Sequence, residues 1–349
     1  MARQRSREDL LLAARLAAQR LSGTPAASAL EATRHLLAVQ GQDPRGARLA
    51  VRARTLDGHA SDVDRALSEE RSLVITWVNR GTLHLIAAED EPLLHELTTP
   101  QLRAGSNRRL RQEGVSPAAV SRAIAAIVKT LGASGPMTRS ELRAVLQRAD
   151  VPTAGQALVH VLFRATLDGL IVRGPMIGGE QAFALAVDWL GERPKIDRDS
   201  GLAELARRYL AGHGPAEDRD LAKWAQLPLR DARAGLQAIA SELRQRPDGL
   251  VDLARAQESI PLPPPRLLGP FDPVLLGWRS RDLLLRDTRE VVTINGIFRA
   301  IALIEGCAAG TWTMPGGHVE LNLWNAPNRA TNTALSNEAT AVETYLRGR

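Results

Sequence analysis

The stretch GPMTRSEL at residues 135–142 returns without gaps as GPAEDRDL at residues 214–221. After each copy, at nearly equal spacing, comes Asp-Gly-Leu: Asp168-Gly169-Leu170 in the first and Asp248-Gly249-Leu250 in the second. Two helical patterns separate the octapeptide from this tripeptide in both copies, and β-branched residues follow it. In the first copy Thr138 reads as an N-cap, with Glu141 three residues on completing a capping box. Residues 154–168 carry Leu158, Leu162 and Ala165 at helical spacing. The following LIVRGPMIGGEQAFALA reads as a β-hairpin with Gly178-Gly179 at its tip. Helices closed by a hairpin describe a winged helix, a variant of the helix-turn-helix. A repeat of about 80 residues is the size of a small domain, longer than a solenoid unit.

The N-terminal part reads the same way. Helices are expected at about 6–21, 26–39 and 44–56, then a short helix in SDVDRALSEE. SLVITWVNRGTLHLIAAED alternates on both sides of Asn79-Arg80-Gly81, as a third hairpin would. After the proline-rich connector Pro261–Pro265 the chain turns to short strands and turns, in RLLGPFDPVLLGWRSRDLLL, EVVTINGIFRAIALI and TWTMPGGHVELNLW. The expected class is α+β, mostly helical: three tandem winged-helix units at 1–112, 113–195 and 196–349, the last with a small β-rich C-terminal subdomain.

The bulk numbers fit such a chain. Its 349 residues are enough for two or three domains, and 44% are apolar. Lys+Arg at 45 against Asp+Glu at 39 leaves a net charge of +6. Lys129, Lys195 and Lys223 are the lysines, so the positive charge is almost all guanidinium. Arginine suits two-pronged contact with phosphate, and a GC-rich genome would also produce it. One cysteine, Cys307, excludes an internal disulfide and a thiolate metal cage, and reads as a small core residue. Glu8 and Asp9 interrupt the N-terminal apolar pattern, and no uncharged apolar run reaches membrane-spanning length. A soluble protein of a reducing compartment is expected.

Residues 36–54, LLAVQGQDPRGARLAVRAR, set two glutamines around one glycine. Asp43 as N-cap and Pro44 at the first helical position fix where the next helix starts. The residue before proline is pushed towards extended geometry, so Gln40-Gly41-Gln42 lies outside the helix. In extended chain, residues two apart face the same way. Both amides can then face one point, and Gly41 leaves that point open to close approach. On residue types alone, the two glutamines could equally cap backbone groups in a surface turn. Arg45, Arg48 and Arg52 follow on one helical face, along which a phosphate backbone could run.

Other candidates are less specific. Arg80, Thr82 and His84 share a face in NRGTLHLIA, either as phosphate or sugar contacts or as the solvated side of a hairpin. Trp278, Arg279 and Arg281 stand at an expected turn between strands. An aromatic flanked by arginines there could enter a groove or stack on a base, or Trp278 could be core with solvated arginines beside it. QLRAGSNRRLRQEG, with Arg103, Arg108, Arg109 and Arg111, is the densest basic run and either a phosphate-contact segment or a solvated helix. No HExxH, CxxC, Walker loop or post-strand GxGxxG occurs, so no metal and no cofactor is expected.

Three segments together resemble a family. LLAVQGQDPRGARLAVRARTL, TWVNRGTLHLIAAEDEPLLHEL and RLLGPFDPVLLGWRSRDLLL are similar, in order, to the AlkZ/YcaQ superfamily of winged-helix DNA glycosylases, over about residues 7–325. The resemblance implies three winged helices in a C-shaped body around double-stranded DNA. Gln40 and Gln42 would match the Gln-x-Gln catalytic motif of the AlkZ-like branch; the YcaQ-like branch has Asp at the second position. The middle residue is usually aliphatic in the family and is Gly41 here, which bears on the rate. The implied reaction is hydrolysis of the N-glycosidic bond of an alkylated purine, N7-alkylguanine or N3-alkyladenine, leaving an abasic site. Repair and self-resistance against DNA-alkylating natural products are both implied contexts.

The chemistry suits neutral amides, because an alkylated purine is already cationic and a good leaving group. What remains is to align water on C1′ and to stabilise an oxocarbenium-like sugar. Two rivals stand beside this reading: a winged-helix transcription regulator without catalysis, the commoner use of such folds, and a protein that sequesters adducts without releasing a base.

Overall fold

A computed structural model describes residues 6–256, 261–286 and 291–348. Contacts divide the chain into two compact units, residues 1–64 with 199–349 and residues 65–198.

The first unit begins with α1 (Arg7–Ala18), capped by Ser6, whose hydroxyl accepts from Asp9 N while the Asp9 carboxylate accepts from Ser6 N. Next come α2 (Ala29–Leu36), the short extended β1 (Val39–Gln40) and α3 (Pro44–Arg52). Leu37, at φ 64°, ends α2 and redirects the chain. Asp43 caps α3 by accepting from Gly46 N at 2.7 Å, and Pro44 occupies the first turn, as the Asp-Pro signal predicts. Helix α4 (Ala60–Ser68) crosses from one unit into the other.

The second unit opens with β2 (Leu73–Val78) and β3 (Thr82–Ala87), an antiparallel hairpin in register from Leu73↔Ala87 to Val78↔Thr82. Helices α5 (Glu91–Thr98), α6 (Pro100–Gln112), α7 (Pro117–Ser134), α8 (Arg139–Arg148) and α9 (Ala157–Leu167) follow. The hairpin β4 (Ile171–Ile177) and β5 (Glu180–Leu185) and the short α10 (Ala186–Leu190) complete it. The capping box of Thr138 and Glu141 and the hairpin turn at Gly178-Gly179 are as expected. Leu110, Ala123, Ile127, Leu142, Leu158, Leu162 and Phe183 form one core between the helices and the sheet. Burial of such side chains contributes roughly 1.5–3 kcal/mol each.

The chain then re-enters the first unit through α11 (Arg198–His213), α12 (Asp218–Ala225), α13 (Leu229–Ala238) and the hairpin β6 (Leu243–Gln245) with β7 (Val251–Leu253). The two octapeptides are matched in their strand bridge and in their capping bond. Met137 bridges to Phe183 just as Ala216 bridges to Val251, and Asp220 Oδ2 accepts from Glu217 N as Glu141 Oε2 does from Thr138 N. The tripeptides are not matched. Asp168-Gly169-Leu170 connects α9 to β4, whereas Asp248-Gly249-Leu250 lies between β6 and β7, because a strand already precedes it.

The C-terminal part contains β8 (Arg266–Leu268), α14 (Asp282–Leu285), β9 (Ile301–Ile304), β10 (Cys307–Thr313) and β11 (Glu320–Leu323), forming a sheet of order β11-β10-β9-β8, and then α15 (Arg329–Arg347). The sheet agrees with the expected β-rich segment. The 19-residue helix, capped by Asn328, has no counterpart in that expectation. Leu335, Val342 and Tyr345 of α15 pack with Leu49, Leu267, Ala302 and Trp312. Glu290, the first residue of EVVTINGIFRAIALI, lies outside the described residues. Cys307 is half-buried at a strand end, with its Sγ accepting from Arg286 Nε at 3.1 Å, rather than a core residue.

Candidate functional site

The two glutamines converge. Because α2 stops at Leu37 and α3 cannot begin before the Asp43 cap, residues 39–42 are left extended or bent. Gln40 Nε2 donates to Gln42 Oε1 at 2.7 Å. The pair is asymmetric: Gln40 is 6% exposed, whereas Gln42 faces solvent. One lone pair of the Gln42 carbonyl is taken by Gln40, and a carbonyl oxygen carries two.

The arginine stripe beyond them is largely committed inside the unit. Arg48 bonds to Asp64 and, through Nη1, to the Pro44 carbonyl at 2.7 Å. Arg52 makes a two-pronged pair with Glu338 on α15, both bonds at 3.0 Å. Burial would raise the Glu338 carboxyl, but Arg52, its hydrogen-bonding partner, holds it below its usual range. Arg45 is the member of the stripe that is exposed. The expectation of a continuous phosphate track is therefore corrected.

The segment Gly269–Arg281 also departs from expectation. A 3-10 turn at Pro273–Leu275 and the helix α14 replace the expected turn between strands. Trp278 is 7% exposed; its Nε1–H donates to the His213 carbonyl at 2.8 Å, and the Arg15 guanidinium lies 4.7 Å from its ring centre. It is core, unavailable to a base. Arg281 is half-buried, donates to the Leu275 carbonyl and covers Phe298 at 4.8 Å. Arg279 remains exposed beside Glu217 at 2.8 Å.

In the other unit the β2–β3 hairpin brings Arg80, Thr82 and His84 together. His84 is 1% exposed. Its Nδ1 lies 2.9 Å from the Thr82 carbonyl and its Nε2 3.3 Å from Arg80 Nη2. Nδ1–H must donate to the carbonyl, leaving Nε2 to accept from the guanidinium; this fixes a neutral imidazole. Burial, and then Arg80, lower its pKa to about 3. His84 is thus a buried support for Arg80 rather than a surface contact. The Thr82 hydroxyl is buried and has no partner among the described residues. On α6, Arg108 and Arg111 are exposed, Arg109 donates to Gln112 at 3.2 Å and Arg103 pairs with Asp168. Among the described residues no three His, Cys, Asp or Glu side chains converge as a metal site would require.

Sequence reasoning missed the buried ion pair just beyond the end of α3. Arg54, fully buried, is bound by both oxygens of the fully buried Asp272 at 2.8 and 3.0 Å and by Gln19 Oε1 at 2.7 Å. The signal lay in Gly46, a glycine inside a helical pattern, which marks a close approach.

A family model described as DNA glycosylase AlkZ-like matches residues 33–345. An interstrand DNA cross-link repair glycosylase of Streptomyces sahachiroi is 26% identical over 348 residues, 90% of each chain. The solved structure of the Streptomyces sahachiroi DNA glycosylase AlkZ superimposes with a TM-score of 0.79 at 22% identity, covering 98% of this chain and 97% of that one.

Proposed function

The chain belongs to the AlkZ-like DNA glycosylase family, and from that premise we propose that it hydrolyses the N-glycosidic bond of alkylated purines in double-stranded DNA, leaving an abasic site. The observation that carries the reading is the 2.7 Å bond that aligns Gln40 and Gln42 immediately before the α3 cap. An N7-alkylguanine leaves with the bonding electron pair and becomes neutral. The sugar is left as an oxocarbenium ion, and water adds to C1′. Gln40, buried, holds the Gln42 carbonyl in place. Gln42, exposed, uses its second lone pair to accept a hydrogen from that water and direct its oxygen to C1′. A carboxamide does not take up the proton, which passes to bulk water. Undamaged purines, poor leaving groups, are then left intact. The pair offers no amine, so no Schiff base and no strand-cleaving lyase step belongs to this scheme.

Arg45, Arg80, Arg108, Arg109 and Arg279 are proposed to hold the phosphate backbone. Bulky adducts and interstrand cross-links are included among the substrates because the Streptomyces relative is a cross-link repair glycosylase. Repair or self-resistance by a monomer in the bacterial cytoplasm is the setting proposed. The test is duplex DNA carrying N7-methylguanine, incubated with protein and then treated with alkali. Strand scission that disappears in Gln42→Ala is expected; tight binding with intact strands would instead identify a regulator or a sequestering protein.

A further inference from the structure

We infer that the loop Gly269-Pro270-Phe271-Asp272 is a positioning clamp: by gripping α3 at both ends it sets the placement of Gln42 and hence the rate of base excision. This rests on the proposed role of the glutamine pair.

The grip at the start of α3 is a backbone-to-backbone contact. Gly46 stands in the first turn, where its N–H meets the Asp43 cap. A Cβ added there would fall well inside contact distance of the Pro270 carbonyl oxygen and 3.1 Å from Pro270 Cγ. Gly269 is equally constrained: its added Cβ would meet Leu49 Cβ at 2.9 Å and Gly46 Cα at 3.2 Å. Two glycines face each other across this contact. Glycine inside a helix is less favourable than alanine. That penalty is offset by a packing distance no other residue allows.

The grip at the far end is electrostatic. Arg54, just past the α3 C-cap, donates through Nη1 to the Ala50 carbonyl at 2.8 Å and to Asp272 Oδ2 at 3.0 Å; Nη2 reaches Asp272 Oδ1 at 2.8 Å. Asp272 Oδ1 also accepts from Val274 N at 3.0 Å, which fixes the loop that carries it. Both side chains are fully buried, so the pair is unscreened and its two-pronged geometry allows little sliding. The loop is itself anchored to the sheet by Trp312 Nε1, which donates to the Leu268 carbonyl at 2.9 Å.

A helix fixed at both ends is fixed along its axis, and Gln42 is one residue before its cap. A carbonyl that must aim water at one carbon tolerates little displacement. Relief of the Gly46→Ala overlap requires α3 to move by about 1 Å, and a misplacement of that size lowers a positioned reaction by about 100-fold.

The test compares wild type, Gly46→Ala and Arg54→Lys in single-turnover excision of N7-methylguanine from a duplex, with duplex affinity and thermal midpoint measured in parallel. Gly132→Ala on α7, whose added Cβ makes only an ordinary 3.6 Å contact with Leu185, serves as the helix-glycine control. A folded Gly46→Ala that binds the duplex as wild type does, yet excises about 100-fold more slowly, is the expected result. Arg54→Lys, which keeps the charge and loses the fork, should move the rate in the same direction, and Gly132→Ala should not. Wild-type rates in folded Gly46→Ala or, where that variant does not fold, in Arg54→Lys overturn the clamp. A wild-type protein that excises nothing overturns the proposed activity instead, so the two failures are distinct.

Discussion

Acidifying the protein measures how deeply His84 is held. In the folded chain its pKa lies at about 3, against an ordinary value of 6.5, because burial and then Arg80 disfavour the imidazolium. Between these values the unfolded chain binds a proton that the folded chain refuses. Stability contributed by the neutral ring is therefore complete above pH 6.5 and is lost as pH falls below it. The loss runs at about 1.4 kcal/mol per pH unit, so lowering the pH from about 7 to about 4.5 removes roughly 2.7 kcal/mol through this one residue. Other groups titrate over the same range, including His35 and His95, whose pKa values burial also lowers. They do so identically in a His84→Gln variant, whose amide can donate to Thr82 and accept from Arg80 without titrating. Denaturant unfolding of both proteins at the two pH values gives the difference directly. His84→Gln should be the less acid-sensitive of the two by about 2–3 kcal/mol. Equal losses in the two proteins would show that the imidazole takes up its proton as freely as a surface histidine, and the neutral-acceptor geometry would be wrong.

The remaining expectations divide buried from exposed residues. Trp278→Phe should lower the thermal midpoint, since it removes the hydrogen bond to the His213 carbonyl at a cost of about 0.5–1.5 kcal/mol, and leave duplex affinity unchanged; the reverse outcome would restore Trp278 as a base-stacking residue. Arg52→Ala leaves the buried Glu338 with the Leu267 N–H at 3.1 Å and, of the arginines, only the more distant Arg266 at 3.6 Å, and should destabilise the fold by about 3–5 kcal/mol in urea unfolding. Arg108→Ala should leave stability unaltered while lowering the slope of log affinity against log salt by about 0.9; an unchanged slope removes Arg108 from the phosphate contacts.

What the sequence made legible was what neighbours along the chain decide. Asp43-Pro44 can only begin a helix, Thr138 and Glu141 answer each other within one turn, and Gly178-Gly179 is a turn by its backbone freedom. The placement of Gln40 and Gln42 outside a helix followed from the same local rules. The fate of the cations did not, because each is decided by a partner far along the chain. Arg52 meets a carboxylate 286 residues away and Arg54 one 218 residues away, while Trp278 finds its acceptor 65 residues back. On a helical wheel Arg48 and Arg52 look like a solvated stripe; only the arrival of Asp64 and α15 turns them inward. The second Asp-Gly-Leu misled for a related reason. The tripeptide favours a turn in either copy, but whether a strand precedes that turn depends on pairing between β6 and β7.

Glu338 gives the last turns of the chain an importance that their position disguises. Its carboxylate ties together Arg52 at the end of α3 and the backbone N–H of Leu267 at 3.1 Å, while Leu335, Val342 and Tyr345 on the same helix complete a core shared with Leu49. Removing residues 329–348 would therefore act as an internal excision, stripping a wall from the first unit and leaving a guanidinium stranded beside exposed hydrocarbon. Loss of that helix should register first as a less stable first unit.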